Sequence, residues 1–341
     1  MTNPIDHVVI IVKENHTFDN YFGTFPGATG VTLAQAPDPQ IADPLHDHAA
    51  WLAAQAHGGG LRLQYGKHDI PAYWAFAQQY SLCDNYFTDV ASQSEPNHLH
   101  LIAADAPIID NSTMARRYQP MSPFALPNLP ATLEAAGHTW RNYADARSSY
   151  FDHIVGLIKH RWSVPSASFD KDAKAGKLPD VAWLFAPDGL SEHPGDFKHT
   201  GKPLVGPGMQ WTADRVRAAA TGPLWAKTAI FITWDDWGGW YDHIASPLAS
   251  TWPSGGHAGY QNSQFRFGPR VPCLVVSPYA KIGVNHTLYS HSSIVKFCIK
   301  RFGLKAWNAP ALRSTDKAGD MSDSFDFAAP PRLAVPSSVP K

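Results

Sequence analysis

The chain has 341 residues, with 28 Lys+Arg against 29 Asp+Glu and a formal net charge of −1. That length can bury a large α/β core, and a composition of 44% hydrophobic and 17% charged residues excludes a disordered tail. The balanced charge leaves no basic surplus for nucleic acid or an anionic surface. Histidine (17) and tryptophan (12) are abundant, and their positions decide what they mean.

Ile5-Asp6-His7-Val8-Val9-Ile10-Ile11-Val12 is β-branched and nearly continuous, the pattern of a strand buried on both faces of a parallel sheet. Lys13-Glu14-Asn15-His16-Thr17 follow at once, at the strand end where open α/β sheets bind ligands. Residues 24–65 are rich in Gly, Pro, Asp and His without periodicity and predict a surface excursion. His46, His48, His57 and His68 fall there or in other loops and receive no assignment. A helix is predicted over 71–79, a strand over 81–87, and an apolar helix over 99–104 led by Ser92–His98. Ser94 is its candidate N-cap and Pro96 suits its first turn, so the Ser94 hydroxyl would lie where a helix start favours an anion.

Further along, the pattern predicts a helix over 129–136 ending at Gly137, a strand over 139–143, and a strand over 181–185. A helix over 211–220 leads into a strand over 228–233 that ends in Trp234-Asp235-Asp236. A strand over 271–277 and a helix over 292–302 complete the series. Strands alternating with helices give an α/β fold with a mainly parallel central sheet flanked by helices. We expect a single domain over 1–325, with its excursion near 24–70, and a Pro-rich tail over 326–341.

Cys83, Cys273 and Cys298 are too few and too far apart for a disulfide framework or a zinc ribbon, and read as small buried thiols. No run reaches the ~18 apolar residues of a membrane span, and the N-terminus lacks the features of a secretory signal. The expectation is a soluble chain without an integral membrane segment or a recognisable export address, cytoplasmic as written. Asp235-Asp236 is the strongest local chemical signal. Two adjacent carboxylates end a buried strand, boxed by Trp234, Trp237 and Trp240, and would repel each other unless a cation joined them. Glu14-Asn15 alone fits an ordinary turn, and Ser94 alone a simple cap.

Six segments in order resemble the bacterial phosphoesterase family, which includes non-haemolytic-type phospholipases C and acid phosphatases within the alkaline phosphatase superfamily. They are Glu14–Gly23, Ser94-Glu95-Pro96-Asn97-His98, Ser191-Glu192-His193-Pro194, Trp234–His243, Gly268–Tyr279 and Tyr289–Ile294. The resemblance implies an alkaline-phosphatase-like fold. It also implies a divalent metal (Mg²⁺, Ca²⁺, Mn²⁺ or Zn²⁺) held by Glu14, Asn15, Asp235 and Asp236 with Ser94. Ser94 is then the nucleophile, and His193 lines the phosphoryl site with His98 or His291 in support. His16, Asn97 and His243 are the implied substrate contacts.

Two departures stand out. The family commonly has Arg and Ser where this chain has His16 and Thr17, and Arg where it has His98. Each lost Arg replaces a permanent charge by a titratable ring, which suits an acidic optimum. Asp235-Asp236-Trp237-Gly238-Gly239 looks more like the acid phosphatase branch. The resulting expectation is a metal-dependent hydrolase of phosphomonoesters working through a phosphoserine intermediate. The alternative is a phospholipase C-type phosphodiesterase on phospholipid head groups, and a third reading is a non-catalytic phospholigand-binding protein. The expected partner is a small phosphate ester or phospholipid, not nucleic acid.

Overall fold

The computed structural model describes residues 3–39, 42–112, 123–145, 149–196, 201–252 and 260–339. In it the first apolar run becomes strand β1 (His7–Lys13), buried from Val8 onward. In chain order there follow α1 (Phe18–Phe22), α2 (His48–His57), α3 (Pro71–Gln79), β2 (Ser81–Cys83), α4 (Ser94–Ala103) and α5 (Leu129–Ala135). Next come β3 (Trp140–Tyr143), β4 (Ser163–Val164), α6 (Ser168–Lys174), β5 (Val181–Phe185) and α7 (Val205–Ala220). β6 (Thr228–Trp234), β7 (Cys273–Val276), β8 (Gly283–Asn285) and α8 (His291–Arg301) complete the set.

The eight strands form one sheet in the order β8-β2-β7-β6-β1-β5-β3-β4. β1 lies at its centre, parallel to β5 on one side and β6 on the other. The sheet is mainly parallel, as the alternation of elements predicts, but β7 runs antiparallel to both β6 and β2. Continuous burial of β1, β5 and β6 explains why these strands read as unbroken apolar runs rather than alternating ones.

Three local expectations are corrected. The 81–87 segment is not one strand: β2 ends at Cys83, and Tyr86-Phe87 pairs separately with Tyr289-Ser290. α7 begins at Val205, earlier than its apolar periodicity shows, because Gly206, Pro207 and Gly208 disguise its first turn. The excursion is not featureless, since it contains α2, which Asp47 caps by accepting a 2.8 Å bond from the Ala50 N–H. All three cysteines are buried free thiols. Among the described residues, no helix is long and apolar enough to cross a membrane.

Candidate active site

The parallel register of β1 and β6 sets Lys13 opposite Trp234, so the residues that follow each strand leave the sheet side by side. Backbone bonds tie them: Asp235 N–H donates to Lys13 O at 2.9 Å, and Glu14 N–H to Ser191 O at 3.0 Å. Three of the sequence motifs are thereby gathered at the C-terminal edge of the sheet. Asn15 takes a left-handed conformation (φ 63°), which asparagine tolerates better than most residues, and its N–H donates to Asp235 Oδ1 at 2.9 Å. Gly238 (φ 56°) closes over it so tightly that an added Cβ would stand 2.6 Å from Asn15 O.

Helix α4 brings Ser94 to the same place. Its N-cap is Gln93 rather than Ser94, so the expected capping role is replaced: Ser94 Oγ instead donates to Asp236 Oδ2 at 3.1 Å. Asn97 fixes that start, since its Oδ1 accepts from Val90 N–H and its Nδ2 donates to Val90 O and Gln93 O. All its polar atoms go to the loop, so it positions Ser94 rather than facing the cluster.

Ligand atoms of Glu14, His98 and Asp235 lie within 4.8 Å of one another. Burial first, then the neighbouring carboxylates, pushes Glu14 and Asp236 well above the usual carboxylate range. Burial acts the same way on Asp235, but hydrogen bonds from His98, Asn15 and Ser94 outweigh it and hold Asp235 down to about 2. A chain of bonds orients the Asn15 amide. His46 Nδ1 lies 2.6 Å from Pro44 O and must donate, which leaves Nε2 to accept from Asn15 Nδ2 at 3.3 Å. Asn15 Oδ1 is then a buried acceptor with no hydrogen-bond partner. Crowded carboxylates plus an orphaned amide oxygen form an oxygen-rich donor set that fits a hard divalent cation. Glu14, Asn15, Ser94, Asp235 and Asp236, the five expected ligands, converge, and His98 brings an imidazole beside them.

The remaining histidines differ in what they face. His193 is half-buried, and its Nδ1 accepts from Gly195 N–H at 3.0 Å, so the neutral ring carries its proton on Nε2. Asp43 and His46 lie within ligand distance of it, although the sequence singled out neither. His46 Nε2 is also 3.9 Å from Asp236 Oδ2, which joins this group to the carboxylates. His291 stands on the first turn of α8 with both nitrogens engaged, Nε2 donating to Asp235 O at 2.7 Å and Nδ1 meeting Tyr86 Oη at 3.0 Å. His16 is fully buried, meets Asn20 Oδ1 at 2.6 Å and Glu192 O at 3.2 Å, and stacks on Tyr21 and Trp240. Both its nitrogens are engaged there, and among the described residues neither meets the carboxylate cluster. His243 Nδ1 meets Asp19 Oδ2 at 2.6 Å, in a network whose cation is already supplied by Arg270, bonded to Asp19 and Asp242. His243 lines a separate cavity of about 180 Å³ with Trp51, Trp237 and Trp240, to which neither Ser94 nor Glu14 contributes.

Three of the buried rings make stability sensitive to acid. Burial pushes His16 and His291 down to about 3 and His100 to about 4. The unfolded value is about 6.5, so below it the unfolded chain binds protons that the folded chain does not, and stability falls as pH falls. Each ring contributes about 1.4 kcal/mol per pH unit between its two values. Glu14 and Asp236 act with the opposite sign, which a divalent cation bound there would suppress by keeping them ionised. Calorimetry with the cation present should show the melting temperature dropping steeply from about pH 6.5 to about pH 4. A flat or rising curve would show that these histidines are not buried neutral.

The model of the Phosphoesterase family matches residues 5–46 and 40–305. The chain is 27% identical to the non-hemolytic phospholipase C of Pseudomonas aeruginosa, over 96% of its own length and 58% of that protein's. It is 26% identical to phospholipase C B of Mycobacterium tuberculosis, covering 98% of itself and 80% of that protein. In fold it is similar to murine ectonucleotide pyrophosphatase/phosphodiesterase 5, with a TM-score of 0.51 and 9% identity over 94% of this chain and 100% of the other. Ps i-CgsB in complex with k-i-k-neocarrahexaose gives the same TM-score of 0.51, at 10% identity over 93% of this chain and 75% of the other. These likenesses place the fold among alkaline-phosphatase-like proteins.

Proposed function

Because the chain belongs to the Phosphoesterase family, we propose that it is a phosphoric ester hydrolase that cleaves phosphodiesters in the manner of a phospholipase C, with Ser94 as its nucleophile. The observation that carries the assignment of Ser94 is its 3.1 Å hydrogen bond to Asp236 at the rim of the carboxylate cluster. The diester preference rests on relatives that align over nearly the whole chain and are phospholipases C. It displaces the phosphomonoester preference expected from Asp235-Asp236-Trp237, which finds no support among those relatives.

Asp236 Oδ2 accepts the Ser94 hydroxyl proton's hydrogen bond and so aims an oxygen lone pair outward from the start of α4. The first-turn N–H groups of that ten-residue helix favour the negative phosphoryl group. Glu14, Asn15, Asp235 and Asp236 would hold a divalent cation, which would supply positive charge to the phosphoryl group beside Ser94. Ser94 Oγ passes its proton to Asp236 Oδ2 and forms a bond to phosphorus as the bond to the diacylglycerol oxygen breaks. His193 Nε2–H is the proton donor to that leaving oxygen. Water then cleaves the seryl–phosphorus bond and releases the phosphorylated head group.

The test is a substrate comparison with and without chelator, across acid to mildly alkaline pH. A glycerophospholipid should be cleaved to diacylglycerol and a phosphorylated head group, faster than an aryl phosphate monoester, and chelator should abolish both reactions. Turnover of the monoester alone would restore the acid phosphatase reading. No turnover of either ester with metal present would leave only ligand binding.

A further inference from the structure

The face of α4 that carries Ser94 also carries His98, one helical turn on. His98 is covered by Tyr150, whose ring centroid lies 4.8 Å from the imidazole. Tyr150 also meets His153 edge-on, at 5.1 Å. His153 is in turn anchored by Glu95, the fully buried neighbour of Ser94, through a 2.6 Å contact to Oε1. The same carboxylate accepts from Ser112 N–H at 2.6 Å and Ser112 Oγ at 3.0 Å, so the clamp is anchored on both sides. Tyr150 is thus held against two rings that are each fixed to the first turns of α4.

Its backbone is left-handed (φ 54°), a conformation that costs a non-glycine residue about 1 kcal/mol or more and that clusters at functional sites. The hydroxyl is the second observation. Fully buried tyrosines spend theirs on protein, Tyr21 and Tyr73 on Glu192, Tyr65 on Pro37 O and Tyr143 on Asp172, whereas Tyr150 is half-buried. Among the described residues the Tyr150 hydroxyl makes no such bond. The Tyr150 ring lies against His98, whose Nε2 is 3.2 Å from Asp235 Oδ2, and burial, then the charge of Glu14, Asp235, Glu95 and Asp236, pushes the phenol pKa up.

We propose that Tyr150 donates a hydrogen bond to a non-bridging oxygen of the phosphoryl group that Ser94 attacks. The inference rests on the assignment of Ser94 as the attacking group. A phenol is suited to this position because it is a neutral donor, and it adds a contact to the phosphoryl oxygens without a charge that would compete for the carboxylates. Its strained backbone and its two neighbouring rings hold the phenol in place before substrate arrives.

The test compares Tyr150→Phe, Tyr150→Ala and Ser94→Ala in the full chain, measuring kcat, KM and competitive inhibition by inorganic phosphate across pH. Tyr150→Phe keeps the ring against His98 and His153, so the melting temperature and the shape of the pH profile should not change. We expect kcat/KM to fall about tenfold and inhibition by inorganic phosphate to weaken about tenfold, the size of one hydrogen bond to a charged group. Wild-type values for both in Tyr150→Phe, with Ser94→Ala inactive, would overturn the role of Tyr150 alone. If Tyr150→Ala but not Tyr150→Phe lost activity, the ring would be packing only, and the donor role would likewise fall. An active Ser94→Ala would instead overturn the assignment on which the inference rests.

Discussion

Ser94→Ala is expected to lower the turnover of a phosphate ester by about six orders of magnitude, the loss seen when the nucleophile of a preorganised site is removed. The prediction follows from placement. Ser94 Oγ stands at the start of α4, is 5% exposed, and bonds Asp236. Its removal takes away the one hydroxyl that, among the described residues, hydrogen-bonds that cluster, while Glu14, Asn15, Asp235 and Asp236 stay in place. Cation binding, measured by titration, should therefore persist although catalysis does not. That separation distinguishes loss of the nucleophile from collapse of the site. If Ser94→Ala retained most of its activity towards a generic aryl phosphate, the nucleophile would have to be sought elsewhere.

Lys13→Met should destabilise the fold by about 3–5 kcal/mol, the cost of leaving one member of a buried ion pair without its partner. Lys13 Nζ lies 3.2 Å from Glu192 Oε1 with both side chains fully buried, and it also donates to Leu190 O and Gly208 O. Glu192 accepts further bonds from Tyr21 at 2.7 Å, Tyr73 at 2.6 Å and Trp234 Nε1 at 3.0 Å. Burial pushes Lys13 down and Glu192 up, and each holds the other's charge against it. The pair also matters for the site, because Glu192 sits in a left-handed conformation (φ 78°) immediately before His193. Denaturant unfolding should show the loss, and the Lys13→Met/Glu192→Gln double variant should lose less than the sum of the single changes. A single-variant loss within about 1 kcal/mol would show that the pair does not carry this part of the fold.

Several site residues were legible because they sit where a sequence pattern changes abruptly. Glu14-Asn15 and Asp235-Asp236 each end a continuous apolar run, so their polar character at a buried strand terminus stands out without any structure. Asp43 and His46 were not legible, since they lie in a Pro- and Gly-rich segment without periodicity, and only the Gly238-Gly239 turn presses that segment inward. An added Cβ on Gly239 would stand 2.5 Å from Pro44 Cβ. The three Trp around Asp235-Asp236 in sequence hold other groups in the fold: Trp234 Nε1 bonds Glu192, Trp237 Nε1 bonds His46 O at 2.9 Å, and Trp240 stacks on His16.

By itself the sequence determined the α/β class, the central buried strands and the resemblance carried by six ordered motifs, because burial on both faces and strand termini leave local marks. The tertiary structure alone decided which histidines matter and how. A ring's role depends on what each nitrogen meets across the chain: His291 meets the Asp235 carbonyl, His46 meets Asn15, and His16 meets the Glu192 carbonyl. Those partners are distant in sequence and close only through the register of β1 with β6 and the packing of α4 and α8 around it. The opening count of 17 histidines therefore carried little information, whereas two carboxylates at one strand end carried a good deal.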